Sequence, residues 1–217
     1  MKLKIEWHYK TKSGAKTLLT TDFMPVAEAL LFYEDMQKTG RVQSIEMIDT
    51  YNTEWLVKEA KKYLAEMETE PHHVQIYFDA GFELDSQLAG LGVVVHFEQN
   101  GTKYRIRQNA KVHGLQSNNE AEYAALHFAC GILNELQVRG QDIDVFGDSQ
   151  VVISQMAGDW PVYEQGLANW ADKIDAVMKK YKLTPTYTHI SRHENGEAHK
   201  LGAQALNGVN ISSKVQR

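Results

Sequence analysis

The sequence predicts an α/β protein, in which a mixed five-stranded sheet is flanked by helices and preceded by a small α+β domain. Three features indicate this class. Residues 74–79 form a run of β-branched and aromatic side chains, which is typical of a buried strand. Asn100-Gly101 is a strong hairpin signal between two further strand patterns. Helical and strand patterns then alternate along the chain, so we expect helices to pack against the sheet.

Residues 1–70 predict a small domain with the element order ββαβ(β)α. Leu3, Ile5 and Trp7 alternate with polar residues, which indicates a half-buried first strand. The further elements of this domain are expected at residues 16–22 (strand), 25–40 (helix), 42–48 (strand) and about 55–66 (helix). The acidic stretch 66–73 is broken by a proline, and we interpret it as the linker to a second domain, residues 71–217.

The second domain has the predicted order βββαβααβα. Its strands are expected at residues 74–79, 91–97, 104–107, 143–146 and 185–190, and its helices at residues 118–137, 151–156, 164–180 and 194–206. The short links between the first three strands predict that these strands are antiparallel. We expect the terminal residues 211–217 to be frayed.

Composition narrows the class of protein. The formal net charge is −5, so the chain does not indicate nucleic-acid binding through bulk positive charge. Cys130 is the single cysteine, which excludes a disulfide within the chain and fits a reducing compartment. The first residues contain no long apolar run. We therefore expect no signal peptide, no membrane contact and a cytoplasmic monomer.

Carboxylates recur where a predicted strand ends or a helix starts. Asp79 closes the first buried strand, Glu120 and Glu122 lie in the first turn of a helix, and Asp148 follows a later strand. Like charges that converge in one cleft repel one another, and divalent cations relieve that repulsion. Two ordinary alternatives remain open. Asp148 is also a typical helix N-cap, and an acid such as Glu120 is favoured by the helix dipole.

Four short motifs follow one another along the chain. They are Tyr77-Phe78-Asp79-Ala80-Gly81, Ser-Asn-Asn-Glu-Ala-Glu-Tyr at 117–123, Gly-Asp-Ser-Gln at 147–150, and Arg-His-Glu-Asn-Gly-Glu-Ala-His at 192–199. Together they resemble type 1 ribonuclease H over about residues 74–208. The resemblance implies a ribonuclease H-like fold with strand order 3-2-1-4-5. It also implies a metal-dependent endonuclease that hydrolyses the RNA strand of RNA/DNA hybrids and leaves 3′-hydroxyl and 5′-phosphate ends.

The resemblance also implies roles for individual residues. Asp79 would bridge two Mg²⁺ or Mn²⁺ ions, while Glu122 and Asp148 would each hold one ion. Glu120 lies two residues before Glu122, which is roughly 200° round the helix, so we expect it to face elsewhere. These assignments predict a two-ion site built from three carboxylates.

The chain departs from the family pattern at its fourth catalytic position. His199 stands where the family usually has Asp, four residues after Asn195. Histidine binds Mg²⁺ poorly and Mn²⁺ better, and it can move protons or orient water. A retained but altered activity is therefore one hypothesis, and a weak or inactive nucleic-acid-binding relative is the other. His189 and His193 are both candidates for the mobile histidine of the family, and His189 is equally consistent with a structural role.

Contacts to the hybrid are expected from short polar side chains that read the shape of a minor groove. By resemblance, Asn118, Asn119 and Gln150 would make minor-groove contacts and Ser117 a phosphate contact, although helix capping also suits the Ser-Asn-Asn stretch. Residues 158–170 lack the basic protrusion of some family members, so we expect weak or salt-sensitive affinity unless residues 1–70 assist. Lysines near the first hairpin offer such a contact with nucleic acid, or simply a solvated face. A protein partner for residues 1–70 is a further alternative.

Overall fold

The computed structural model describes all 217 residues, which divide into two compact units, Met1–Thr69 and Glu70–Arg217. The last helix of the first unit continues to Thr69, and the first strand of the second unit begins at His72. The predicted linker 66–73 is therefore wrong in extent, because only Glu70 and Pro71 separate the two elements. Glutamate is a good helix former, so the acidic stretch extends the helix until proline stops it.

The first unit is an antiparallel sheet packed against two helices. Its elements are β1 (Lys2–Lys10), β2 (Lys16–Thr20), β3 (Met24–Pro25), α1 (Val26–Lys38), β4 (Val42–Asp49), β5 (Glu54–Trp55) and α2 (Val57–Thr69). The sheet order is β2-β1-β4-β5, and β3 pairs with β1. Leu3 and Ile5 lie on one face of β1 and are fully buried against Ala29 and Ala60 of the helices. The alternation in the sequence thus marks the core side of the sheet.

The second unit contains a six-stranded mixed sheet. Its elements are β6 (His72–Glu83), β7 (Leu88–Gln99), β8 (Thr102–His113), α3 (Asn118–Glu135), β9 (Asp142–Gly147), α4 (Gln150–Met156), α5 (Gln165–Tyr181), β10 (Thr184–His189), α6 (Gly196–Leu206) and β11 (Ser212–Gln216). The sheet order is β10-β9-β6-β7-β8-β11. β6, β7 and β8 are antiparallel neighbours, whereas β6, β9 and β10 are parallel. The order 3-2-1-4-5 expected for the first five strands is confirmed.

The expectation that residues 211–217 are frayed is wrong, because Ser212–Gln216 forms β11 and pairs antiparallel with β8. Asn109 explains the pairing. Its side-chain amide nitrogen donates to the carbonyls of Leu201 and Val209 at 3.0 and 2.9 Å, and its oxygen accepts from the backbone nitrogen of Ile211 at 2.7 Å. The tail is therefore anchored by a buried polar side chain on a strand that is distant in sequence.

The two faces of the second sheet are covered differently. One face packs its apolar side chains, including Phe78 and Val95, against α3 and α5. On the other face α6 rests on β7, where Gly90 and Gly92 carry no side chain, and a Cβ on Gly92 would overlap the carbonyl oxygen of Ala198. The glycines thus let α6 approach the centre of the sheet. None of the helices combines the length and apolar content needed to cross a bilayer.

Candidate active site

Three acidic side chains meet near the centre of the second sheet. Asp79 lies on β6, Glu122 lies one turn into α3, and Asp148 follows β9 directly. β6 and β9 are parallel, with Phe78 opposite Gly147, so the next residue of each strand presents its carboxylate at the same level. Gly147 leaves room for the Phe78 ring on the neighbouring strand, because a Cβ on it would lie 2.7 Å from that ring.

The electrostatics show that the carboxylates interact. Asp79 and Glu122 are only 3% and 5% exposed. Burial raises the pKa of Asp79 to about 6, with repulsion from Asp148 adding to the shift and the hydrogen bond to His199 opposing it. Burial, with repulsion from Asp79 and Asp148, raises the pKa of Glu122 to about 9. The Oε2 atom of Glu122 is buried without a hydrogen-bond partner.

Asn195 holds one of these carboxylates in position. It is 1% exposed, and its side-chain nitrogen donates to the carbonyl of Phe78 at 2.8 Å and to Oδ1 of Asp148 at 2.6 Å. Asn195 is the N-cap residue of α6, yet its side chain makes no capping hydrogen bond. The Asn195 side chain therefore contacts Phe78 and Asp148 instead of capping α6. Sequence reasoning missed this role, although an Asn one turn before His199 is a signal that could have found it.

His199 contacts the central carboxylate directly. Its Nδ1 lies 2.8 Å from Oδ2 of Asp79, and its side chain is 38% exposed. Arg192, which was also missed, places Nη2 3.2 Å from Nδ1 and 3.1 Å from Nε2 of this ring. Arg192 therefore lies at nearly the same distance from both ring nitrogens. His199 thus lies next to Asp79 and is also contacted by the Arg192 guanidinium.

Glu120 lies away from the cluster, as its place on the helix predicts. Its Oε2 accepts from the backbone nitrogen of Gln116 at 2.7 Å, and its Oε1 accepts from Nε1 of Trp170 at 3.0 Å. The Ser117 side chain accepts from the backbone nitrogen of Glu120 at 3.1 Å and caps α3. Ser117 and Glu120 therefore stabilise the start of the helix that carries Glu122.

The alternative of Asp148 as a helix cap is wrong. Ser149 is the N-cap of α4, and its side chain accepts from the backbone nitrogen of Val152 at 3.4 Å. The carboxylate of Asp148 is consequently left to Asn195 and Asp79. His189 ends β10, with Nε2 3.3 Å from the carbonyl oxygen of Asp148, so the strand interpretation of this histidine is confirmed.

The residues predicted to contact nucleic acid lie at the starts of two helices beside the carboxylates. Asn118 and Gln150 are exposed, and Asn119 is half-buried. Gln150 donates from Nε2 to Oγ of Ser154 at 2.7 Å. These side chains therefore present polar groups to solvent next to Glu122 and Asp148, and their contacts to a hybrid stay a prediction.

The donor set fits hard divalent cations. The three acidic groups offer only oxygen, the ligand that Mg²⁺ and Mn²⁺ prefer. A cation would satisfy Oε2 of Glu122, the one oxygen of the set that is buried without a partner, and would offset the repulsion that raises both pKa values. His199 adds a nitrogen within reach of Asp79. We conclude that the residues present suit the ions expected from the sequence.

Comparisons with known proteins agree with this geometry. The model of the reverse transcriptase-like family matches residues 77–205, a span that contains Asp79, Glu122, Asp148 and His199. The uncharacterized protein YpeP of Bacillus subtilis is 36% identical over 217 residues, covering 99% of this chain and 96% of that protein. The bifunctional protein Rv2228c of Mycobacterium tuberculosis is 26% identical over 136 residues, which are 63% of this chain and 36% of that protein.

Solved structures resemble the second unit. The N-terminal RNase H domain of Rv2228c from Mycobacterium tuberculosis has a TM-score of 0.54 at 26% identity, covering 62% of this chain and 94% of that chain. LC11-RNase H1 from compost, in complex with an RNA/DNA hybrid, has a TM-score of 0.54 at 27% identity, covering 62% of this chain and 97% of that chain. RNase H1 of Halobacterium salinarum shares the fold, with a TM-score of 0.53 at 24% identity over 63% of this chain and 98% of that chain. The similarity is therefore to RNase H domains.

Proposed function

Because this chain belongs to the reverse transcriptase-like family and its second unit has the ribonuclease H fold, we propose that it hydrolyses the RNA strand of RNA/DNA hybrids with divalent metal. One observation carries the proposal. Glu122 is a buried carboxyl without a partner for Oε2, and it lies beside Asp79 and Asp148, which repel its charge. Such an arrangement is unfavourable for the fold alone and is explained by cations that bind there.

Asp79, Glu122 and Asp148 would hold the ions. When bound, two divalent ions stabilise the attacking and leaving oxygens of an in-line displacement at phosphorus. Asp79 lies on β6 in the interior of the sheet, and Glu122 and Asp148 lie near enough to interact with it electrostatically, so the three would hold the ions together. Asn195 donates a hydrogen bond to Oδ1 of Asp148 and so acts as a positioning residue.

His199 would tune the site rather than supply a fourth carboxylate. Its hydrogen bond engages Oδ2 of Asp79, and its imidazole can hold or move a proton at Nδ1 or Nε2. A nitrogen ligand at this position favours Mn²⁺ over Mg²⁺. The Arg192 guanidinium beside the ring adds a positive charge that a phosphate of the substrate could contact.

Recognition of the hybrid would depend on the starts of α3 and α4. Asn118, Asn119 and Gln150 offer amide groups of the kind that contact sugars and base edges in a shallow minor groove. The segment after α4 offers aromatic rather than basic groups, since Trp160 and Tyr163 are 48% and 90% exposed. Affinity that relies on few phosphate contacts is expected to be modest.

The hairpin of the first unit is proposed as an additional phosphate contact. Lys10 and Lys16 are exposed and lie directly opposite each other in the register of β1 and β2. Like charges opposite each other destabilise a sheet, so a binding role would account for them. Lys16→Glu would turn the pair into an attractive one and should weaken hybrid binding at low salt. Lys58→Glu, the same charge change at another exposed position, is the control.

The test of the main proposal is cleavage of an end-labelled RNA/DNA hybrid by the full chain with Mg²⁺ or Mn²⁺. We expect cleavage of the RNA strand only, and its loss in Asp79→Asn and Glu122→Gln with the fold retained. Absence of cleavage with both metals in the unaltered protein would overturn the proposal as stated.

A second function is favoured by the 2.8 Å contact between His199 and Asp79, because it engages an oxygen that an ion would need. In that case the protein binds hybrids without turnover. It would bind equally well after Asp79→Asn, and His199→Asp would restore cleavage.

A further inference from the structure

A β-bulge lies at the start of β6, the first strand of the second unit. His72 pairs with Glu98 of β7, but the register shifts before Gln75, and His73 has a φ of 51°. Adjacent residues of a regular strand point to opposite faces of the sheet. Here the bulge places the two imidazole rings next to each other, with centroids 4.9 Å apart. The left-handed backbone of His73 is unusual for a residue other than glycine and marks a feature that redirects side chains.

The carboxylate of Glu98 lies close to both histidines. Nδ1 of His73 lies 3.6 Å from Oε2 of Glu98, and one potential ligand atom from each of His72, His73 and Glu98 lies within 4.8 Å of the other two. The side chains of His73 and Glu98 are 76% and 31% exposed, so an ion in solution could reach them. The group lies at the start of β6, apart from Asp79 in the middle of the same strand.

Neighbouring groups leave suitable lone pairs free. Nδ1 of His72 lies 2.9 Å from the carbonyl oxygen of Glu70. A carbonyl only accepts, so Nδ1 is the donor in this contact, and Nε2 is the ring nitrogen left to bind a metal ion. Lys103 lies 3.5 Å from Oε1 of Glu98, and Oε2 faces His73. The carboxylate of Glu98 can thus stay paired with Lys103 through Oε1 and bind a metal ion through Oε2.

We propose that His72, His73 and Glu98 form a binding site for a transition-metal ion of the Zn²⁺ class. Two imidazole nitrogens and one carboxylate oxygen are a donor set that Zn²⁺ accepts readily and Mg²⁺ does not. Water completes the coordination, because only three protein ligands are present. The site differs in chemistry from the all-oxygen cluster at Asp79, and its existence does not depend on the nuclease function.

The ion would connect the first residues of β6 to the last residues of β7. These segments otherwise meet at a bulge, where the regular ladder of hydrogen bonds is interrupted. Binding to the folded state alone stabilises a protein by mass action, so Zn²⁺ should raise the unfolding temperature. The bound ion would therefore cross-link β6 and β7 at one end of the sheet.

The test is isothermal titration calorimetry of the full chain with ZnCl₂, alongside thermal unfolding with and without the ion. We compare the unaltered protein with His73→Ala, Glu98→Gln and His113→Ala. His113 is an exposed histidine at the end of β8 and serves as the matched control. At the site formed by His72, His73 and Glu98, we expect the Zn²⁺ affinity to fall about tenfold or more in the first two variants and to be unchanged in the third.

Zn²⁺ could also bind at Asp79 and His199, so Asp79→Asn is titrated in parallel. The site proposed here should persist in that variant and should be lost when His73→Ala is added. The proposal is overturned if the unaltered protein binds no Zn²⁺, or if every binding event disappears with Asp79→Asn. It is also overturned if His73→Ala and Glu98→Gln, folded by circular dichroism, bind like the unaltered protein.

Discussion

Replacing Glu122 by Gln should stabilise the metal-free protein. The carboxyl has a pKa of about 9 in the folded protein against an ordinary value of 4.5. Between these two values the folded state binds more protons than the unfolded state, so the free energy of unfolding falls as pH rises. At pH 7 the accumulated penalty is about 3 kcal/mol, taking 1.36 kcal/mol for each pH unit above the ordinary pKa. Gln removes the titrating group and keeps an oxygen for the hydrogen bond from the Ala80 backbone.

The assay is urea unfolding in EDTA at pH 5 to pH 8.5. Glu122→Gln should differ little from the unaltered protein at the acidic end and should be more stable by up to about 3 kcal/mol at pH 7. Excess Mg²⁺ or Mn²⁺ should narrow the gap, because ions bind only the unaltered cluster well. The control is Glu120→Gln, whose side chain accepts hydrogen bonds from Gln116 and Trp170 and should not gain stability. A difference between Glu122→Gln and the unaltered protein that does not grow with pH would refute the reasoning.

Three further outcomes are expected. His199→Asp should raise the ratio of Mg²⁺-supported to Mn²⁺-supported hybrid cleavage by about tenfold, measured as initial rates, because a carboxylate replaces a nitrogen that Mg²⁺ disfavours; an unchanged ratio would contradict the role given to His199. Asn195→Ala should lower kcat roughly tenfold to a hundredfold with little change in KM, because Asp148 loses its positioning hydrogen bond; a change in KM alone would point instead to substrate binding. Gly92→Ala should lower the free energy of unfolding, measured in urea, by about 2 kcal/mol or more, because the added methyl group overlaps the carbonyl of Ala198. Gly131→Ala is the control, because Gly131 has open space around it, and it should not lower this free energy.

Local patterns in the sequence predicted most of the strands and helices, whereas the strand order and the choice of Glu122 as a metal ligand were implied by the resemblance to type 1 ribonuclease H. Asp79 and Asp148 each end a strand with a clear apolar pattern, and Glu122 lies on a helix whose capping motif is explicit. In the structure, the parallel pairing of β6 with β9 brings these two strand ends together. The hairpin at Asn100-Gly101 was also predicted from the local sequence, and both residues adopt positive φ in the turn.

The features that were missed depend on contacts between distant residues. Asn195 reaches Asp148 and Phe78, which are 47 and 117 positions away, instead of capping its own helix. The tail becomes a strand because Asn109, 102 positions earlier, binds Ile211. Neither pairing leaves a periodic signal in the neighbouring sequence. The choice of Ser149 over Asp148 as a cap likewise depends on what Asp148 meets across the sheet.

The contact of Asn195 with both β6 and Asp148 has a consequence for biosynthesis. The amide group joins residues from the beginning, middle and end of the second unit, and His199 follows one turn later. Ribosomal synthesis delivers α6 after β6, α3 and β9, so a nascent polypeptide carries the acidic residues well before the side chains that orient them. Alignment of the carboxylates therefore has to wait until α6 has been synthesised, and a chain that terminates before residue 195 would lack it.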